Sequence, residues 1–215
     1  MEGHLSLNNF WLKKWASNAI GFHEDYIHPL LKQYWNTIGS ASHSNVLVPL
    51  CGKSKDLLYL RDQGHNVLGI EISEIAIVAF FDENKIKYKR SRHHNYHVLY
   101  ANNLTIYCSD MLCFPKDILP KIDVIYDRAA LIALSKEQRL IYADWLTAIT
   151  GHGCQSLVIT LVYDEDKLSP PPYLVNNVEL SALYRDNWNI THLGQHAAVA
   201  KGHEAAEKVY LLLRK

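Results

Sequence analysis

This chain is short of cysteine, of glycine where a phosphate would need it, and of any excess of one charge. Its 215 residues carry four cysteines, Cys51, Cys108, Cys113 and Cys154, unevenly spaced and with no Cys-x-x-Cys pair. Neither a disulfide framework nor a zinc site is therefore expected, and the thiols are read as reduced. Lysine plus arginine equals aspartate plus glutamate at 22 each. Zero net charge gives no electrostatic handle for nucleic acid or an anionic membrane, so a small molecule is the expected partner. The longest apolar runs, such as residues 157–162, are strand-sized, well below the roughly 18 residues that a membrane span requires. The first nine residues lack the basic start and apolar stretch of a signal peptide, and a cytoplasmic location is expected. Histidine is plentiful, at twelve, but only His93, His94 and His97 cluster. They have no carboxylate beside them in the sequence, so an exposed polar loop is expected and no metal.

What is present centres on residues 45–73. Val46, Leu47 and Val48 read as a buried parallel strand, residues 54–63 with Leu57, Leu58 and Leu60 as a helix stopped by Gly64, and residues 67–70 as a second strand. Two strands around one crossover helix make a βαβ unit. The first turn of such a unit, and the tip of its second strand where Glu71 stands, are where nucleoside cofactors bind. The turn Pro49-Leu50-Cys51-Gly52-Lys53-Ser54 separates three candidates by its glycines. A phosphate loop needs a glycine five positions before Gly52, where this chain has Leu47, so Gly52-Lys53-Ser54 is a fragment only. A dinucleotide fingerprint needs three glycines for the pyrophosphate, and one is present, which disfavours NAD. S-adenosylmethionine has the adenosine without the phosphate and needs a carboxylate for its ribose. Glu71 stands at the right distance for that role, although it could instead cap the helix that begins near Ser73.

The rest of the chain alternates strand and helix. Trp11 and Trp15, four apart, share a helix face. With the Gly21-Phe22-His23 loop and a helical stretch over residues 28–35, they form either a lid or an N-terminal cap on the core. Ser73 caps a helix over residues 74–84. Residues 85–100 read as a long loop, with a local hairpin as an option, before the strand 104–108, which delivers Asp110. A strand over residues 121–126 delivers Asp127 and Arg128 to the same sheet edge. Ser135-Lys136-Glu137-Gln138 opens a helix through Ile149, ended by Gly151-His152-Gly153. Strands over residues 155–163, 188–193 and 208–213 and a short helix over residues 177–184 complete the pattern. The expected fold is α/β: a doubly wound, mostly parallel seven-stranded sheet with an antiparallel C-terminal hairpin. Residues 1–215 are read as one domain, with residues 1–40 as lid or cap and residues 41–215 as the core. Ligands in such sheets bind beyond the carboxyl ends of the strands, where Leu50, Gly52, Glu71, Asp110, Asp127 and Arg128 fall.

Taken together, these blocks resemble the thiopurine S-methyltransferase family across nearly the whole chain. The likeness is carried by Trp11-Leu12-Lys13-Lys14-Trp15, Gly21-Phe22-His23, Pro49-Leu50-Cys51-Gly52-Lys53-Ser54, Gly69-Ile70-Glu71-Ile72-Ser73, Tyr126-Asp127-Arg128-Ala129-Ala130-Leu131 and Pro171-Pro172-Tyr173. The resemblance implies a Rossmann-like class I methyltransferase that moves the methyl of S-adenosylmethionine to the sulfur of thiopurines or related aromatic thiols, or to selenium or tellurium compounds in detoxification, leaving S-adenosylhomocysteine. It implies that Trp11, Trp15 and Phe22 close over the site, with Phe22 on the acceptor side. Leu50, Gly52 and Glu71 would hold the cofactor, Asp110 and Met111 would flank the adenine, and Arg128 would lie where cofactor and acceptor meet. Arg128 would favour the acceptor thiolate and Asp127 would be a general base, unless the pair simply opens the following helix. A monomer is expected. Two other readings remain open, a cofactor-binding sensor without turnover and a dehydrogenase using NAD through Glu71. The sequence departs from the family pattern at Ser169-Pro170-Pro171-Pro172 and over residues 193–207, segments that bear on the acceptor.

Overall fold

The computed structural model describes residues 2–93 and 96–215, with side chains from residue 7 onward and excepting His93. It divides into two compact units, Met1–Gln33 with Ala41–Pro115, and Tyr34–Ser40 with Lys116–Lys215. In the first unit the helix α1 (Glu2–Ala16) and the short helix α2 (Pro29–Tyr34, whose last residue belongs to the second unit) precede β1 (Asn45–Pro49), α3 (Asp56–Asp62), β2 (Asn66–Glu71) and α4 (Glu74–Glu83). A hairpin of β3 (Lys89–His93) and β4 (Tyr96–Ala101) follows, and then β5 (Leu104–Cys108). The strands lie in the order β3-β4-β5-β2-β1. Parallel pairing of Val48 with Gly69 and of Gly69 with Ile106 puts the carboxyl ends of β1, β2 and β5 at one edge. Val46, Leu47, Leu57, Leu60, Ile70, Phe80 and Phe81 are buried in this unit, and the apolar β1 and β2 runs are those of strands covered on both faces.

Gly69 shows why the central strand tolerates a glycine. A Cβ there would stand 2.8 Å from Cys51 Sγ and 3.2 Å from Ile106, so the bare backbone makes room for the turn after β1. Gly69→Ala is expected to destabilise by about 1–3 kcal/mol through overpacking. A fall in melting temperature checks this, and an unchanged one would mean that Cys51 has room to move.

In the second unit β6 (Ile122–Arg128) runs into α5 (Lys136–Ile149) and β7 (Thr150–Tyr163), followed by α6 (Asn177–Tyr184), β8 (Trp188–Ala200) and β9 (His203–Arg214). The order is β6-β7-β9-β8, with β6 and β7 parallel and the β7–β9 and β8–β9 pairs antiparallel. Ser135 caps α5 in a full capping box with Gln138. Tyr126, Tyr142, Leu157, Tyr184 and Trp188 are buried in this unit.

The α/β class and the antiparallel C-terminal hairpin hold, but the described residues form nine strands where seven were expected. The two additional ones are β3 and β4, within residues read as a long loop for which a local hairpin was an option. The sequence Lys89-Arg90-Ser91-Arg92-His93 hides its strand because an edge strand carries charge on its open side. Among the described residues each unit mixes parallel pairs, β1–β2 and β2–β5 in the first and β6–β7 in the second, with antiparallel ones. The hairpin strands are also longer than expected. Gly151 and Gly153 do not end α5 in a loop but lie inside β7, which begins at Thr150.

Candidate functional site

The turn after β1 is held in an uncommon backbone conformation. Leu50, with a side chain, has φ 45°, and Gly52 has φ 53°. A non-glycine residue in the left-handed region costs on the order of 1–3 kcal/mol and marks a turn that its surroundings impose. Those surroundings are visible. Cys51 N–H donates to the Ile70 carbonyl at 3.2 Å, and Gly52 N–H donates to Glu71 Oε2 at 2.9 Å. The other carboxylate oxygen, Oε1, accepts from Ser73 N–H at 2.8 Å. Glu71 thus ties the β1 turn to the start of α4, which is the helix-capping reading of this residue. It organises the helix start, while each oxygen keeps a further lone pair for a hydroxyl donor. Ser73 itself caps α4 by accepting from Ala76 N–H. Burial pushes the Glu71 carboxyl above its ordinary range, against the pull of the Ser73, Gly52 and Ile72 N–H groups. Cys51, beside it, is buried and its thiol is raised well above the usual value by burial and then by the Glu71 charge, so it is no nucleophile.

The N-terminal residues cover this turn from above. A Cβ on Gly52 would stand 3.1 Å from Trp15 Cζ2, so the buried indole of Trp15 lies directly on the glycine. Phe22 packs edge-on against Trp11 at 5.2 Å and Trp15 at 5.4 Å between ring centroids. Phe22 is 44% exposed, so part of it stays open to solvent. Trp11 Nε1 is a buried donor with no hydrogen-bond partner among the described residues. Lys55 pairs with Asp25 at 2.7 Å, joining the loop after Phe22 to the turn below it. Gly52→Ala is expected to lower stability by about 1–2 kcal/mol, because the left-handed backbone disfavours a Cβ and Trp15 must retreat. A melting-temperature loss accompanied by red-shifted tryptophan fluorescence checks that Trp15 is what moves.

Beyond β5, Asp110 caps the turn that carries the buried Met111. Its Oδ1 accepts from Leu112 N–H at 3.0 Å and its Oδ2 from Asn8 Nδ2 at 2.7 Å. The first unit therefore brings Trp11, Trp15, Phe22, Leu50, Gly52 and Glu71 into one connected arrangement, and α1 reaches Asp110 and Met111 through Asn8. Asn8 escaped the sequence reading. Its signal was its spacing, since residues 8, 11 and 15 share one face of α1.

In the second unit, Asp127 and Arg128 end β6. Asp127 is wholly buried; its Oδ2 accepts from Tyr142 O–H at 2.8 Å and its Oδ1 from Leu131 N–H at 3.3 Å. This differs from the general-base expectation, because a base must reach the proton it removes. Arg128 is half-buried, and Ala129 after it takes φ 64°. Tyr173 N–H donates to the Ile132 carbonyl at 2.7 Å, Tyr163 O–H to the Pro172 carbonyl at 2.6 Å, and Lys201 Nζ to the Ser169 carbonyl at 2.8 Å. The proline loop is thereby strapped to the turn that follows Arg128. The atypical residues 193–207 lie mostly in β8 and β9, with a register shift between His192 and Gly194. His97 pairs with Glu74 at 3.2 Å, and His94 lies outside the described residues.

The family model for thiopurine S-methyltransferase matches residues 7–215. The chain belongs to the thiopurine S-methyltransferase family. It is 38% identical to a thiopurine S-methyltransferase of Pseudomonas syringae pv. tomato, over 96% of this chain and 98% of that one. It is 36% identical to a Shewanella thiopurine S-methyltransferase, again over 96% and 98%. Among solved structures, the fold is similar to a Burkholderia thailandensis 1,6-didemethyltoxoflavin-N1-methyltransferase with bound S-adenosylhomocysteine, with a TM-score of 0.72 at 13% identity over 100% of this chain and 89% of that one. Among the described residues, no helix is long and apolar enough to cross a membrane. No three His, Cys, Asp or Glu side chains among them gather as metal ligands.

Proposed function

We propose that this member of the thiopurine S-methyltransferase family transfers the methyl group of S-adenosylmethionine to the sulfur of a thiopurine or related aromatic thiol. The observation that carries the reading is the Glu71 carboxylate locked onto the Gly52 turn beneath Trp15. It offers lone pairs for ribose hydroxyls and no glycine-rich cradle for a phosphate. S-adenosylmethionine supplies an electrophilic methyl on a sulfonium, and its transfer leaves S-adenosylhomocysteine. The chain's own work is orientation. Holding two reactants nearly in line can remove up to about 7–11 kcal/mol of barrier. Leu50, Gly52 and Glu71 hold the nucleoside and amino-acid ends, Asp110 and Met111 flank the adenine, and Trp11 and Trp15 exclude water and favour the sulfonium by about 0.5–2 kcal/mol. Phe22 offers its exposed part to a flat acceptor, and Arg128 favours the acceptor as thiolate.

We read the chain as one monomeric methyltransferase domain with residues 1–40 acting as its lid, working in the cytoplasm on small thiols, or on selenium and tellurium compounds, in detoxification. Calorimetric titration with S-adenosylmethionine, S-adenosylhomocysteine and NAD, followed by product assays on thiopurines, aromatic thiols, selenite and tellurite, tests the reading. The expected result is heat from the first two ligands and a methylated thiol. Heat from NAD alone would make it a dehydrogenase, and cofactor binding without any product would make it a sensor.

A further inference from the structure

We infer that Asp127 and Tyr142 form a buried positioning pair that fixes the turn presenting Arg128, so that Asp127 acts on the acceptor through its neighbour and not as a base. The inference rests on the proposed role of Arg128 at the acceptor. Its geometry lies wholly within the second unit. Asp127 is fully enclosed, and its carboxylate bridges two elements, accepting from Tyr142 O–H on α5 with one oxygen and from Leu131 N–H with the other. Between Asp127 and Leu131 lie Arg128, Ala129 and Ala130, with Ala129 held at φ 64° without a glycine. A five-residue span, Asp127 to Leu131, closed by its own first side chain leaves the backbone at Arg128 little freedom. Tyr142 from α5 and Tyr184 from α6 feel the Asp127 charge; both hydroxyls are raised well above their usual value, first by burial and then by that charge. The Tyr184 hydroxyl is buried without a hydrogen-bond partner among the described residues.

Burial pushes the Asp127 carboxyl up to about 6, against the lowering pull of the Tyr142 hydroxyl and the Leu131 N–H. The sign follows from that rise. A carboxyl raised above its unfolded value costs stability once ionised, so the folded chain loses stability as pH rises from the ordinary aspartate range to about 6. A buried charge kept at a cost to stability is the pattern of a functional group. Protonation below about pH 6 removes acceptor capacity and loosens the turn, so acceptor turnover should carry an acidic limb there.

The test uses Asp127→Asn and Tyr142→Phe with 5-thio-2-nitrobenzoate, a thiol ionised across the pH range of the assay. Both variants are expected to lower kcat by about five- to a hundredfold while the Kd for S-adenosylmethionine stays within about twofold. Asp127→Asn should abolish the acidic limb, Tyr142→Phe should move it upward, and the Leu131 amide should exchange faster with solvent in both. An acidic limb that persists in Asp127→Asn, or kcat and cofactor affinity that fall together, would overturn the positioning role. If the wild-type protein methylates no thiol, the proposed function fails instead. Amide exchange then still decides the pair, because unchanged Leu131 protection in both variants would overturn it.

Discussion

Arg128→Ala should lower thiol methylation by roughly 10²–10³-fold in kcat/KM for the acceptor, while affinity for S-adenosylmethionine changes by no more than a few fold. The asymmetry comes from what a guanidinium does next to a thiol. It favours the thiolate, the only form that attacks, and it holds that charge where water is scarce. Removing it raises the thiol's pKa at the site, so part of the loss should be recovered as pH rises and the acceptor ionises unaided. Arg128→Lys should fall between wild type and alanine, since an ammonium keeps the charge but not the planar fork. Steady-state kinetics with a thiopurine at several pH values, alongside calorimetry with the cofactor, check this. Equal losses in both measurements would assign Arg128 to cofactor binding.

The contrast between Arg128 and Asp127 shows where the sequence was legible. That a strand delivers both residues followed from the β-branched run before them, although β6 (Ile122–Arg128) runs two residues past the end expected at residue 126 and includes them. Their division of labour depended on direction, which period-two alternation fixes only relative to the core. Asp127 points inward to Tyr142, fifteen residues away, and no local pattern announces that partner. The hairpin of β3 and β4 was legible only as an option, for a different reason. Lys89, Arg90, Ser91 and Arg92 are all exposed, so the strand has no buried face to print an alternation on. Asn8 shows a third case, a polar residue whose spacing was readable but whose partner Asp110 is 102 positions away. The βαβ core was legible because residues 46–48 and 67–70 are buried on both sides and bounded by turn residues, which leaves strong local marks.

Glu71→Ala should weaken binding of S-adenosylmethionine by about tenfold to a hundredfold, the worth of hydrogen bonds from ribose hydroxyls to a charged group. The geometry adds a second loss. Glu71 is 6% exposed and satisfies the Gly52 and Ser73 N–H groups, so alanine leaves two donors short of a partner in a confined space, at about 1–3 kcal/mol each if no water replaces the carboxylate. The variant should therefore melt earlier as well as bind less, and Gly52 should lose its fixed place beneath Trp15. Glu71→Gln separates the two losses, because its amide oxygen can serve one N–H while its NH₂ group opposes the other. Protonation offers an independent check. Burial raises the Glu71 carboxyl above the ordinary glutamate value, so its ionisation costs stability as pH rises through that raised value. Hydroxyl recognition needs the ionised form, so wild-type affinity should fall on acidification through the same window. In Glu71→Gln the affinity should be lower but flat across that range. Calorimetry with S-adenosylmethionine and S-adenosylhomocysteine at stepped pH reads both curves, and a wild-type curve as flat as the variant's would mean that the ribose is not held by this carboxylate.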